Sequence, residues 1–247
     1  MKNTTRIGIT TGDPNGIGPE IILKSLNDKR IFEEVTPVVF STTGILDQYI
    51  ELLDYHISIH EINSLTQCKD GHVNVFTIPK EYQIQPGKFC EVAGEISYIS
   101  LKTATKEMMN GQIDAIVTAP INKSNIQNDE FQFKGHTEYF TSLSNTDMSL
   151  MLMVHQSLRV ALVTNHLPLE AVSTSLTKEL ICKKAKLLNQ TLKKDFGVIK
   201  PKIAVLALNP HSGDNGLIGD EEVNIIHPAI KELNKQSILV FGPFPTD

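Results

Sequence analysis

The sequence predicts an α/β fold built on a mostly parallel sheet, and three observations carry that prediction. Short apolar runs of strand length alternate with stretches of helical spacing along the whole chain. Several of these runs pass straight into small polar loops carrying Gly, Pro, Asn or Asp, the residues that turn a strand into a helix. One pair of runs is joined by a short turn at Gln156-Ser157 and reads as a hairpin, so one antiparallel excursion is expected.

In order, Arg6 to Thr10 reads as a short buried strand and Pro19 to Leu26 as the helix after it. Pro37 to Phe40 is a second strand, with a helix around Ile45 to Leu53. Val73 to Ile78 is a third strand. Pro79 to Gly87 is the most loop-like stretch and a candidate connection between lobes. Ala93 to Met109 has helical spacing, with Ile96, Ile99, Ala104 and Met108 available to one face. Ile113 to Thr118 is a strand; Leu150 to Val154 and Arg159 to Thr164 form the hairpin. Thr177 to Leu192 is a lysine-rich amphipathic helix. Lys202 to Leu208 is the clearest buried strand, Glu221 to Leu233 a helix and Ile238 to Phe241 a last strand.

Composition limits what such a fold does. With 247 residues, 40% of them hydrophobic, the chain supports one large domain or two lobes with a real core. Only 15 Gly and 12 Pro exclude collagen-like or low-complexity character. A net charge of −5 argues against a nucleic-acid partner. Cys68, Cys90 and Cys182 are far apart, without a C-x-x-C, which fits a reducing compartment rather than a disulfide framework. The start, MKNTTRIGITTGD, has no apolar signal region, and no run approaches the roughly 20 apolar residues of a membrane span. A cytoplasmic location with no membrane partner is the expectation.

Five polar loops follow predicted strands, and in parallel sheets the carboxyl ends of strands share the edge where ligands bind. Asp13, Asn122, Lys123, His166, His211 and Asp247 lie in them and are candidates to converge. Each loop alone also reads as an ordinary turn. The stretch Gly12 to Glu20 is a glycine-rich turn with Pro19 suited to the start of a helix. Its glycines are spaced G-x-x-x-G-x-G and no G-K-[ST] follows, so it is neither a dinucleotide fingerprint nor a P-loop. A tight structural turn and a ligand loop both remain open. His166 and His211 occupy matching positions after strands, which makes them candidate metal ligands, with Asp214, Asp220, Glu221 and Asp247 as nearby carboxylates. His56, His60, His72, His155 and His227 lack such a context. In Gly135-His136-Thr137-Glu138, His136 and Thr137 offer hydrogen-bonding groups to a small anion; Thr137 also reads as a helix N-cap.

Taken together, Gly12 to Glu20, Gly135-His136-Thr137-Glu138, Asn165-His166-Leu167-Pro168, Leu208 to Gly213 and Gly242 to Asp247 resemble, in order, the motifs of the 4-hydroxythreonine-4-phosphate dehydrogenase family of vitamin B6 biosynthesis. The resemblance spans Ile7 to Asp247. It implies an oxidoreductase whose fold has two interleaved α/β lobes around a cleft, like isocitrate and isopropylmalate dehydrogenases, with no lobe boundary assignable from sequence. It implies a homodimer with sites at the subunit boundary. It implies NAD or NADP as oxidant and a divalent metal such as Zn, Co or Mg. The reaction implied is oxidation of the C3 hydroxyl of 4-phosphooxy-L-threonine, then decarboxylation to 3-amino-2-oxopropyl phosphate. By position, His136 and Thr137 bind the small phosphorylated substrate, His166 and His211 bind the metal, and Asp247 is a further substrate-side candidate.

Family members continue beyond the Gly-Pro-x-Pro-x-Asp motif with a third metal histidine, further substrate residues and most nicotinamide contacts. No catalytic base and no cofactor-binding residue is therefore assigned within residues 1–247. Were these the entire polypeptide, the expectation is no NAD(P)-dependent turnover, weak metal affinity and an under-covered strand at Ile238 to Phe241. Two other readings follow: a sister enzyme acting on 4-phospho-threonate or 4-phospho-erythronate, and a non-catalytic phosphate-binding remnant.

Overall fold

A computed structural model describes residues 4–146 and 148–247. The chain divides into two compact units, with the boundary between Thr146 and Asp147. Pro79 to Gly87 lies inside the first unit and so does not connect the two. It is held there by Asn15, bonded to Tyr82 and Gln85, and by Gln48, whose amide donates to the Tyr82 carbonyl and accepts from the Ile84 N–H.

In the first unit, β1 (Thr5–Thr10), β2 (Val35–Ser41), β3 (Ile59–Ile62), β4 (Val73–Thr77) and β5 (Ala115–Thr118) form one parallel sheet in the order β3-β4-β2-β1-β5. The helices are α1 (Gly18–Leu26), α2 (Ile31–Glu34), α3 (Thr43–Leu52), α4 (Glu91–Met109) and α5 (His136–Leu143). The run Val38-Val39-Phe40 is continuously apolar because both faces of β2 are covered. Val39 packs with Ile22 and Leu26 of α1 and Leu46 of α3. Val38 and Phe40 point to the opposite face, where Ala104 of α4 and Ile113 meet them. Phe40 has no exposed surface, and its burial contributes roughly 1.5–3 kcal/mol. Ile96 and Ala104 of α4 are buried as their spacing predicts, but Met108 is exposed, and Ala93, Gly94, Ser97 and Leu101 complete the buried face instead.

In the second unit, β6 (Leu152–His155) and β7 (Leu158–Ala161) form the antiparallel hairpin about Gln156-Ser157. After the short α6 (Val172–Ser175) comes α7 (Lys178–Lys194), whose N-terminus is capped by the Thr177 hydroxyl accepting from the Leu180 N–H at 3.1 Å. Next are β8 (Lys202–Leu206), α8 (His227–Lys235) and β9 (Leu239–Phe244). Ile181, Cys182 and Ala185 of α7, Ala229, Ile230 and Leu233 of α8, Ile203 and Val240 make one core. β8 pairs in parallel with β9 in a two-stranded sheet. It is therefore not the fully buried strand its composition suggests: Ile203 faces the core, while Leu206, Phe241 and Phe244 are exposed. Among the described residues no helix is long and apolar enough to cross a membrane. The three cysteines are free thiols.

Candidate active site

β1 has β2 on one side and β5 on the other, so the strand order reverses there, and the loops leaving β1 and β5 meet at the carboxyl edge. The β1–α1 turn proves to be directed inward. Gly12 adopts φ +65°, and a Cβ on it would stand 2.3 Å from the Pro120 carbonyl oxygen, so only glycine fits. The Asp13 N–H donates to that same carbonyl at 2.9 Å. Its carboxylate, buried, accepts from the Asn15 N–H at 2.8 Å and from Asn125 Nδ2 at 3.1 Å. Asn15 is also buried; its amide donates to Tyr82 Oη and the Lys88 carbonyl and accepts from the Gln85 N–H. Tyr49 Oη donates to the Pro14 and Gly16 carbonyls. The polar groups of the motif thus hold the loops after β1, β4 and β5 to one another. The Asn15 and Gly16 amides, which would cradle a phosphate, bond instead to Asp13, so this turn does not fit a dinucleotide pyrophosphate.

The loop after β5 delivers a different arrangement. Phe131, fully buried, packs against Tyr98, Phe133 and Tyr139 and anchors α5. Gly135, in extended conformation, is the N-cap residue and offers no side-chain cap. Thr137 is therefore not the N-cap; it lies within the first turn, and its carbonyl accepts from the Thr141 hydroxyl at 2.7 Å. The first-turn amides of a helix have no intrahelical acceptor, and its dipole favours an anion there. His136 occupies the first helical position, half-buried, its ring stacked on Phe140 at 6.3 Å between centroids. Its Nε2 is buried with no hydrogen-bond partner. Burial, and then the charge of Lys123, push the His136 pKa below its ordinary value, so the imidazole is neutral near neutral pH. Lys123 Cε lies 4.0 Å from where a Cβ on Gly135 would stand. An ammonium, a helix N-terminus and an unsatisfied imidazole nitrogen together suit a phosphate or carboxylate.

The second unit carries the two candidate metal histidines, both on exposed loops and both at positive φ: His166 at +56° and His211 at +50°. His211 opens a run of five left-handed residues, His211 to Asn215, in the polar segment after β8. Such a conformation costs roughly 1–2 kcal/mol per residue unless the residue is Gly, or to a lesser degree Asn or Asp. Gly213 is obligatory: a Cβ there would stand 2.7 Å from a Glu222 carboxylate oxygen. The Asp247 carboxylate accepts from the His211 N–H at 3.2 Å and pairs with His211 Nδ1. That contact fixes the ring and leaves Nε2 for another partner.

The structure therefore joins Lys123 to His136 in one unit and His211 to Asp247 in the other, and turns Asp13 inward. Asp220 accepts from Asn224 Nδ2, and Glu221 from Ser173 Oγ and Asn209 Nδ2. Among the described residues no group of three or more His, Cys, Asp or Glu side chains is arranged to hold a metal ion. By donor type alone, an imidazole oriented by a carboxylate, as His211 is by Asp247, suits a borderline divalent cation such as Zn or Co. Two residues that sequence reasoning passes over are Gly94, against whose Cα the Asn125 backbone lies, and buried Glu222. The only sequence signals for them are an isolated glycine in a helical pattern and an acidic pair beside a glycine-rich loop.

A family model, Pyridoxal phosphate biosynthetic protein PdxA, matches residues 33–247. The 4-hydroxythreonine-4-phosphate dehydrogenase of Bacteroides thetaiotaomicron is 41% identical over 248 residues, covering 100% of this chain and 68% of that protein. A protein of Oceanobacillus iheyensis, provisionally named D-threonate 4-phosphate dehydrogenase, is 35% identical, covering 100% of this chain and 76% of its own. The crystal structure of 4-hydroxythreonine-4-phosphate dehydrogenase from Klebsiella pneumoniae aligns with a TM-score of 0.89 and 30% identity, covering 98% of this chain and 74% of that one. On the strength of these matches, the chain belongs to the PdxA family of pyridoxal phosphate biosynthetic proteins.

Proposed function

We propose that the protein is an oxidoreductase that oxidises the C3 hydroxyl of 4-phosphooxy-L-threonine with NAD or NADP, the product losing CO2 to give 3-amino-2-oxopropyl phosphate. The observation that carries the reading is the anion subsite at the start of α5: His136 with its buried, unpartnered Nε2, Thr137 in the first helical turn, and Lys123 beside them. Neutral His136 donates or accepts a hydrogen bond without carrying charge, while Lys123 and the helix terminus supply the positive potential for the substrate's phosphate or carboxylate.

His166 and His211 are the residues proposed to hold a divalent metal, with Asp247 orienting His211 through Nδ1. Such a cation, when bound, lowers the pKa of a coordinated alcohol and polarises the resulting carbonyl. Asp247 is proposed to orient His211 and stays a candidate on the substrate side. We further propose a homodimer and a cytoplasmic location. D-Threonate 4-phosphate is the second candidate substrate, favoured by the name of the Oceanobacillus relative.

Calorimetric titration with 4-phosphooxy-L-threonine, 4-phospho-D-threonate and inorganic phosphate tests the subsite. His136→Ala is expected to weaken binding of the preferred phosphorylated acid at least about tenfold, while stability changes by no more than about 1 kcal/mol. Equal affinity of wild type and variant for every ligand would refute the subsite. Tighter binding of the threonate would select the second substrate.

A further inference from the structure

The left-handed turn that presents His211 is conformationally expensive, and the structure shows what holds it. Glu222 is 1% exposed and starts a short π-helical turn, Glu222–Ile226, that runs into α8. Its Oε1 accepts from the Leu208 N–H and the Asn209 N–H, both at 2.8 Å. Its Oε2 accepts from Asn209 Nδ2 at 2.9 Å and lies where a side chain on Gly213 would stand. Burial alone pushes the Glu222 carboxyl upward, but the bonds from Asn209 and Leu208 outweigh it and keep the group ionised. Neighbouring Glu221 takes the second Asn209 Nδ2 bond at 2.6 Å and pairs with Ser173 Oγ. Ser173 lies in α6, just past the loop that carries His166. A continuous chain of bonds thus runs from the segment after His166, through Glu221 and Asn209, to Glu222 and the base of the His211 turn.

We propose that Glu222, with Asn209 and Glu221, is the positioning device of this family member's second-unit loops: it holds the left-handed turn so that His211 is presented at a fixed place relative to the segment following His166. The purpose given to His211 rests on the metal reading above; the clamp itself does not. None of the three residues is assigned to touch substrate or metal. They act through the backbone at Leu208-Asn209 and through the Asn209 amide. Two buried backbone donors and one amide lose their acceptor if the carboxylate is removed. Glutamine at 222 keeps one oxygen for the two backbone donors but turns an amide toward Asn209, so its effect should be intermediate.

The test combines hydrogen exchange with cobalt titration on wild type, E222Q, E222A and N209A. E222A should accelerate exchange of backbone amides in 208–218 by at least about tenfold while protection in α7 and α8 is kept, and should weaken cobalt binding about 10–100-fold. E222Q should fall between, with the faster exchange again confined to 208–218, a confinement that a purely global loss of stability would not produce. If E222A does not fold, N209A decides: faster exchange confined to 208–218 supports the clamp, and unchanged exchange overturns it. Unaltered exchange in a folded E222A also overturns it. If wild type binds cobalt no better than a H166A/H211A control while E222A still loosens 208–218, the clamp is supported and the metal reading is what fails.

Discussion

Gly94→Ala sets two effects of opposite sign against each other. Gly94 lies in the first turns of α4, where alanine should gain about 1 kcal/mol from helix propensity. A Cβ there, however, would stand 1.9 Å from the Asn125 carbonyl oxygen and 2.3 Å from its carbon, where ordinary contact begins at 3.4 Å. Helix and loop must part by about 1.5 Å, and neither side yields cheaply. α4 is packed through Ile96, Leu101 and Ala104, and Asn125 is tied by Nδ2 to the Asp13 carboxylate and the Cys90 carbonyl. Overpacking of this kind costs about 1–3 kcal/mol, and weakening the two Asn125 bonds adds about 1 kcal/mol each. The net expectation is a loss of about 2–4 kcal/mol. Urea unfolding followed by circular dichroism measures it, with an unchanged slope confirming that stability alone has moved. Because Asn125 precedes the segment leading to His136, affinity for the phosphorylated substrate should fall in the same variant. A Gly94→Ala protein as stable as wild type, or more stable, would refute the packing argument and leave helix propensity as the deciding effect.

Two further outcomes follow from the same geometry. The folded pKa of His136 lies below the ordinary 6.5 because of burial and Lys123, so the unfolded chain takes up the proton more readily. Its contribution to stability is intact above about pH 6.5 and is lost as pH falls through the folded value; His136→Gln should flatten that acid limb, and a wild-type-to-variant difference constant across it would contradict the assignment. Ser212 sits at φ +55° with its Oγ buried and unpartnered. Ser212→Gly should therefore raise the unfolding free energy of the second unit by about 1 kcal/mol, the relief of a left-handed serine exceeding glycine's chain-entropy cost, and a loss of stability in thermal unfolding would refute this account of the strain.

What was legible in the sequence follows from how local each signal is. β2 announces itself because burial on both faces forces a continuous apolar run, and the β6–β7 hairpin because two residues leave only one way to connect antiparallel strands. β3, with the sequence Ile59-His60-Glu61-Ile62, carries no such signal: it is four residues long, lies at the sheet edge, and its polar members need no core. α2, a single helical turn, carries too short a pattern to register. At the candidate sites, residue types were legible and directions were not. Asp13 and Asn15 are as polar and as close to a strand end as His136, yet beyond the bond between them their side-chain partners lie 67 to 112 residues away in the chain, and only the folded arrangement shows them saturated.

The two glycine-rich motifs consequently do opposite work. In the first, glycines let backbones touch so that Asp13 and Asn15 spend their hydrogen bonds inward, locking the carboxyl edge on which the His136 segment rests. In the second, the one obligatory glycine of the His211 turn lets a buried carboxylate approach a left-handed turn, so that a costly conformation is held while His211 stays outward. A glutamate at position 222 looks in sequence like part of a solvated helical face. What distinguishes it is Gly213, whose missing side chain makes room for the Glu222 carboxylate. Reading such a loop therefore means asking which side chain occupies the space its glycines leave, because that neighbour, rather than the glycine, decides whether the motif braces the fold or presents a ligand.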